Sequence, residues 1–507
     1  MRAGFRWLGW FERAAAAAKR LMRPLRGATL SMAAVAVLAF CLHQEGRAAS
    51  LLTNGVTGRG TFGPSLGPRI PGDFGTLRTG PNSGSGDDST GPAASSTSKP
   101  TKSTSKGGGN ASSGSQSRAG FTLPAAGQRF VPDEVILSLA ERAAGREGTI
   151  AATHSLQPLE SFRVGLTGRL IYRWRITNGT SVAATIRSLA RDTRVASAQP
   201  NFLYTVQQSV QGSTTPSDNS VSAGDPAQYA VQKLHLVEAH QLATGENVLV
   251  AVIDSGIDAS HPDLEGVIAA RLDLVGDDKP HSHGTGMAGA IASHGRLIGV
   301  APRVRLLAVR AFGPASGSAE GTTFNILKGL DWSASQGARV VNMSFAGPRD
   351  PMLDQALAAA RRKGMVLVAA AGNAGPKSPP LYPAADPNVI AVTATDADDK
   401  LFAEANQGNY IAVAAPGVDV LVPAPDQGYQ MTSGTSVAAA QVSGVAALLI
   451  ERDGRLDPDG VRKILLVTAH HLGPRPKDDQ FGAGLADAYA ATKSLLPKVT
   501  SGSGATH

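Results

Sequence analysis

Five stretches of the chain are near-continuous apolar runs: Glu246–Asp254 (ENVLVAVID), Val304–Phe312 (VRLLAVRAF), Ala338–Ser344 (ARVVNMS), Gly364–Asn373 (GMVLVAAAGN) and Asn388–Asp396 (NVIAVTATD). Strands buried on both faces read this way. They alternate with helical stretches such as Val437–Ile450, so residues 226–494 predict an α/β domain with a mainly parallel sheet covered by helices. Upstream the pattern changes. Glu134–Leu139, Leu159–Leu166, Leu170–Ile176 and Arg194–Val206 read as strands, and Ala140–Thr153 and Ser181–Arg191 as helices. That order, β-α-β-β-α-β across 121–207, is the ferredoxin-like layout of a small α+β domain. Residues 208–225 carry neither period and predict a loop.

The chain begins differently. Residues 79–120 contain no Val, Ile, Leu, Met or aromatic residue, so 50–120 predicts a flexible linker that cannot offset the entropy of ordering it. Ahead of it, Ala28–Leu42 is apolar and follows a basic stretch, the order of an export signal within 1–49. Fifteen helical residues span about 22 Å, short of a ~30 Å hydrocarbon core, though an uncleaved membrane anchor with its basic end inside is the second reading. Residues 495–507 predict a frayed tail.

Charge narrows the partners. The net charge is +8, but seven basic residues against Glu12 in 1–27 supply +6 of it. The remaining body, at +2, lacks the bulk excess of a nucleic-acid binder. The single cysteine, Cys41, excludes a disulfide framework and a Cys-based zinc site.

In parallel α/β sheets, sites lie beyond the carboxyl ends of strands. Asp254 closes the first run, Asn373 follows the Gly364 run, and Ser344 closes the Ala338 run. His283 and Ser436 each open a helix, in His283-Gly284-Thr285 and Gly434-Thr435-Ser436. These residue types assemble acyl-transfer chemistry. A serine hydroxyl needs a base, an imidazole titrates near neutrality, and a buried carboxylate fixes the imidazole's tautomer. A helix N-terminus offers free N–H groups, and an asparagine amide can donate to an oxyanion. Taken singly, each residue has a plainer role: Asp254 as a strand-end cap, His283 as a core histidine, Ser436 as an N-cap, Asn373 as a turn residue.

Together the segments VAVIDSGIDASHPDL, HGTGMAG, VVNMSFAGP, AAAGNAG and SGTSVAAAQVSG, in this order, resemble the subtilisin-like serine proteases, the subtilases. The resemblance runs from about Val237 to Ala491. It implies a three-layer subtilisin-like fold and a serine endopeptidase with Asp254, His283 and Ser436 as triad and Asn373 at the oxyanion hole. It also implies an extended peptide substrate between Ser344, Phe345, Ala346 and Gly347 on one side and Gly317, Ser318 and Ala319 on the other. The unit 121–207 resembles the family's pro-domain, an intramolecular inhibitor whose last strand reaches for the cleft, with self-cleavage in or near 208–226. The implied product is an exported zymogen that is periplasmic, cell-surface or secreted. Its membrane contact would be confined to 28–42, and it would require no cofactor.

There are departures. The family's Met and Pro after the nucleophile are Val437 and Ala440, its second His is Gly286, and a cleft Gly is Ala346, which would narrow the P1 pocket. The segment Ile291–Pro302, where a tight calcium loop would stand, has no Asp, Glu or Asn, and only Asp277 and Asp278 offer a weaker alternative. The competing functional reading is a catalytically silent subtilase-fold scaffold tethered by residues 1–42. The intact set of four site residues argues against it.

Overall fold

The computed structural model describes residues 119–206, 225–316, 318–473 and 477–497, and the backbone of 209–214. The apolar run 28–42, Cys41, nearly all of the linker 50–120, Gly317, most of 208–225 and the tail from 498 lie outside the described residues. No helix among the described residues is long and apolar enough to cross a membrane.

The large domain is built on a seven-stranded sheet in the order β15-β14-β13-β11-β6-β8-β7, every pair parallel. Its strands are β6 (Leu249–Asp254), β7 (Ile268–Asp273), β8 (Arg305–Arg310), β11 (Val340–Met343), β13 (Val366–Ala370), β14 (Ile390–Thr395) and β15 (Ile411–Pro416). Side chains alternate between two cores, as a strand's twofold period requires. Val250, Val252, Val366, Val368 and Val392 join one core, and Ala251, Ile253, Leu367 and Ala391 the other. The first core is covered by helices α5 (Ser282–Ala292), α8 (Thr435–Arg452), α9 (Pro458–Thr468) and α10 (Ala488–Lys493), the second by α6 (Thr323–Ser335) and α7 (Pro351–Arg362). Two short helices, α3 (Tyr229–Lys233) and α4 (Leu236–Ala239), lead into this domain. This is the helix-covered parallel sheet expected from the apolar runs, in the three layers that the resemblance implies.

Helix α8 is buried from Thr435 through Ile450. A helix apolar all round has to lie inside the protein, and each fully buried Val or Leu contributes about 1.5–3 kcal/mol. That anchorage makes its N-terminal turn a rigid mount for Ser436.

The upstream unit has β1 (Phe130–Leu139), α1 (Glu147–Thr153), β2 (Leu156–Val164), β3 (Arg169–Ile176), α2 (Val182–Leu189) and β4 (Val195–Val206), paired antiparallel in the order β2-β3-β1-β4. The helix expected over Ala140–Thr153 is divided. A 3₁₀ turn at Glu141–Ala143 stops before Gly145, whose φ of +79° no helix tolerates, and α1 starts only at Glu147. A second difference lies after β4, where the predicted loop 208–225 contains strand β5 (Ser209–Thr214). It pairs antiparallel with β17 (Gly428–Ser433), which in turn pairs with β16 (Val420–Ala424). The sequence of β5, SVQGST, has no apolar alternation. Its pairing is supplied by the edge it meets.

Candidate active site

Asp254 ends β6 and points into a fully buried pocket. Its Oδ1 accepts from the Ser255 N–H at 2.7 Å and lies 2.6 Å from His283 Nδ1. His283 stands in the first turn of α5, which approaches the end of β6 very closely. A Cβ on Gly284 would fall 2.6 Å from Ser255 O and 2.7 Å from Gly256 O, so only glycine allows the contact that brings imidazole to carboxylate. Both side chains are essentially without solvent exposure, and His283 Nε2 has no hydrogen-bond partner.

Ser436 sits one residue into α8, after Gly434 at φ +149° turns the chain from β17 into the helix. Helices α5 and α8 pack on one another. The Ser436 hydroxyl donates to Ser344 O at 3.0 Å, while the Ser344 hydroxyl donates to Ser436 O at 3.0 Å. Ser344 Oγ also accepts from Asn342 Nδ2, so this side chain braces α8 from inside rather than facing a cleft. Asn373 is half-buried, and its Oδ1 accepts from the Thr435 N–H at 3.1 Å and the Thr435 hydroxyl at 2.8 Å. The asparagine thereby caps α8, and its amide nitrogen is oriented away from the cap as a donor.

The residues predicted to line the cleft are arranged around β4. Strand β12 (Phe345–Ala346) pairs antiparallel with Val206 and Thr205, and β10 (Ser318–Thr322) pairs with Thr205, Tyr204 and Leu203 through Glu320, Gly321 and Thr322. The upstream unit therefore lays its last strand between the two walls. Ser318 and Ala319 instead pair with Ala315 and Pro314 of β9 (Phe312–Ala315), so the β10 wall beside β4 lies one to three residues beyond the predicted one, and Gly317 is outside the described residues. Ala346 is buried beneath the strand, and Gly347 leaves room for the Tyr204 ring, which a Cβ there would meet at 2.4 Å. Tyr204 donates from its hydroxyl to Pro348 O at 3.1 Å, and burial pushes its pKa well up.

Several residues that build this site escape sequence reasoning. Among them is His281, which belongs to none of the motifs above. It is half-buried, and its Nδ1 caps α5 by accepting from the His283 N–H at 3.2 Å. It also lies 3.1 Å from Ser255 Oγ, which is 3.1 Å from Asp254 Oδ1. Burial holds the His281 pKa below the usual imidazole value. Asp254 opposes that shift, and His283 and Arg310 add to it. Buried Asp350 caps α7 and accepts from Gln199 Nε2 at 2.7 Å and the Thr323 hydroxyl at 2.6 Å, tying β4 to the starts of α6 and α7. Desolvation raises its pKa against those hydrogen bonds. The Asp350-Pro351 cap is visible as a helix-start signal, but a partner 151 residues away is not. Asp277 is paired with Arg310, whose hydrogen bond lowers the carboxyl's pKa.

The profile of the subtilase family matches residues 245–484. The chain is 34% identical over 330 residues to a thermophilic serine proteinase of Bacillus sp. (strain AK1), covering 63% of this chain and 78% of that one. It is 37% identical over 244 residues to thermitase of Thermoactinomyces vulgaris, covering 46% and 85%. Among solved structures it resembles fervidolysin from Fervidobacterium pennivorans, a keratinolytic enzyme related to subtilisin, with a TM-score of 0.63 and 25% identity over 75% of this chain and 63% of that one, so it spans less than two thirds of fervidolysin. The chain belongs to the subtilase family and is a subtilisin-like serine endopeptidase.

Proposed function

We propose that Ser436, His283 and Asp254 form a catalytic triad and that the chain is an exported zymogen cutting itself before it cuts other proteins. Ser436 Oγ turns from Ser344 O towards His283 Nε2, gives up its proton there and attacks the scissile carbonyl carbon. Asp254 holds the imidazole tautomer and stabilises the imidazolium. The Asn373 amide and the Ser436 N–H, which has no partner within its helix, receive the negative charge developing on the carbonyl oxygen. His283 returns the proton to the leaving amine, and water then releases the acyl group by the same route. Nucleophile, base and oxyanion donors are all side-chain or backbone groups, so this route calls for no cofactor.

The observation that carries the proposal is the path of the chain itself. Val206 pairs with Phe345, next to Ser344, and Ser209 pairs with Ser433, three residues before Ser436. Both partners stand within a few residues of Ser344 and Ser436 in sequence, and we assign self-cleavage to one of the peptide bonds between Val206 and Ser209. Residues 121–207 then act as an intramolecular inhibitor, since β4 occupies the place of an extended substrate. Peptides and unfolded proteins in extended conformation are the expected substrates, and residues 1–49 the export or anchoring segment. The loop after α5 does not fit a tight calcium ion. It carries no carboxylate, and both oxygens of the nearby Asp263 are taken by the N–H groups of Arg296 and Leu297 and the Tyr429 hydroxyl.

A fluorophosphonate probe tests the site. With the N-terminal unit removed by limited proteolysis, the protein should take one label, mapped to Ser436, and should hydrolyse an unfolded protein substrate. Folded protein that neither labels nor hydrolyses would sink the proposal.

A further inference from the structure

We infer that the loop after α5 is closed by a cation of the chain's own, the Arg296 guanidinium, which ties the first residues of the large domain to the helix carrying His283 without a metal ion. The inference goes beyond the proposed peptidase activity and does not rest on it. Residues 293–299 leave α5 and turn back at once. His294 bridges Ile298, and the Gly299 N–H donates to Ser293 O at 2.8 Å. The turn wraps the fully buried Asp263 so closely that a Cβ on Gly295 would meet its Oδ1 at 2.4 Å. Asp263 Oδ1 accepts from the Arg296 N–H at 2.8 Å and the Tyr429 hydroxyl at 3.2 Å, and its Oδ2 from the Leu297 N–H at 3.0 Å. These neutral donors satisfy its oxygens but leave its charge, and buried charges are paired or bind metals. His261 does not supply the counter-charge. Its Nδ1 accepts from the Asp263 N–H and its Nε2 donates to Gly428 O, which is the neutral imidazole.

The side chain of Arg296 does. Its guanidinium carbon lies 4.8 Å from the centre of the Tyr429 ring, the ring whose hydroxyl binds Asp263. Its Nε and Nη2 both donate to Asp225 Oδ2, at 3.0 and 2.8 Å. The Ala227 N–H and then Arg296 hold the Asp225 carboxyl below its ordinary value, so the pair is ionised. Three residues on, Gln228 clamps the same loop: its Nε2 donates to Ile298 O and its Oε1 accepts from the Ile298 N–H, each at 3.0 Å. One guanidinium therefore joins three segments, the approach to α3 at Asp225, the buried Asp263, and β17 at Tyr429. A calcium ion takes six to eight oxygens. Here the oxygens of Asp263 and the Gln228 side-chain oxygen are engaged by N–H and O–H groups, and Asp225 is engaged by Arg296. The strap begins downstream of the proposed cut, in the part of the chain that carries the site.

The test uses the full chain carrying Ser436→Ala, which prevents self-digestion, and follows amide hydrogen exchange segment by segment. Arg296→Met keeps the aliphatic stem and removes the charge. It should speed exchange across 293–299 and 228–234 by about tenfold, the scale of one charge-assisted hydrogen bond, while β6 and β8 keep their protection and report that the domain is folded. Asp225→Asn should act on the same segments, and the double variant should exchange no faster than the faster single one, since both remove one interaction. In the parent, neither a chelator nor added calcium should change exchange across 293–299. Exchange there that quickens on chelation, an Arg296→Met loop as protected as the parent's, or single effects that simply add would each overturn the inference. None of these outcomes bears on whether Ser436 is a nucleophile, which the fluorophosphonate probe decides separately.

Discussion

The two seven-stranded sheets among the described residues use their faces differently. The parallel sheet keeps both faces inside its own domain, one against α5 and α8 and the other against α6 and α7. The antiparallel sheet of the upstream unit keeps only one. Val135, Leu137, Trp174 and Ile176 pack on its own helices, while Ile136, Ile171, Phe202 and Tyr204 belong to the core beneath α6 and α7. The small unit therefore completes its fold on the large one, in a core that holds residues of both. Every residue assigned to chemistry lies in the large domain. The small unit supplies a strand, a buried polar tie through Gln199 to Asp350, and a second through Asn201, whose Oδ1 accepts from the Phe324 N–H at the start of α6.

Changes in the two regions should fail in different ways. Asp254→Asn should lower kcat by about 10⁴ while leaving the melting temperature nearly unchanged, since geometry is retained and only the tautomer is lost. A steady-state assay beside calorimetry checks both halves. Phe202→Ala should do the reverse. In a Ser436→Ala background it should cost the docked unit about 3–5 kcal/mol, seen as an earlier calorimetric transition for that unit with the large domain's transition in place.

The next effect is smaller. His281 caps α5 only while its Nδ1 is unprotonated. Its pKa is depressed, so the cap's stabilisation is present above the usual imidazole range and is lost as pH falls through the depressed value. His281→Asn, which keeps a capping oxygen, should remove one ionisation from the acid limb of the kcat/KM profile and change stability by no more than about 1 kcal/mol. An unchanged profile would separate His281 from the site. Smallest is Asp350→Asn. Burial raises the Asp350 pKa, so its contribution is most favourable in acid and declines as pH rises through that raised value. The variant should match or exceed the parent by up to about 1 kcal/mol at neutral pH, with the difference vanishing in acid, as followed by denaturant unfolding.

Much of this was legible in the chain because burial on both faces leaves long apolar runs, and because the strand ends carry Asp254 and Asn373 and the helix starts carry His283 and Ser436. The parallel strands start one to three residues inside the expected runs, where the loop residues Glu246 and Asn247 or Gly364 give way to paired backbone. What escaped depends on partners distant in sequence. Strand β5 is polar and becomes a strand only because β17 offers an edge. His281 looks like any loop histidine until α5 closes against β6. The pairing of β10 with β4 through residues 320–322 escaped because a motif does not record the register of a partner strand.

The most direct test of the central claim is the intact mass of the purified chain, followed in time beside its Ser436→Ala counterpart. The parent should divide at one bond between Val206 and Ser209, and the Ser436→Ala chain should stay whole. Two chains that stay whole though folded, or that are cut alike, would contradict it.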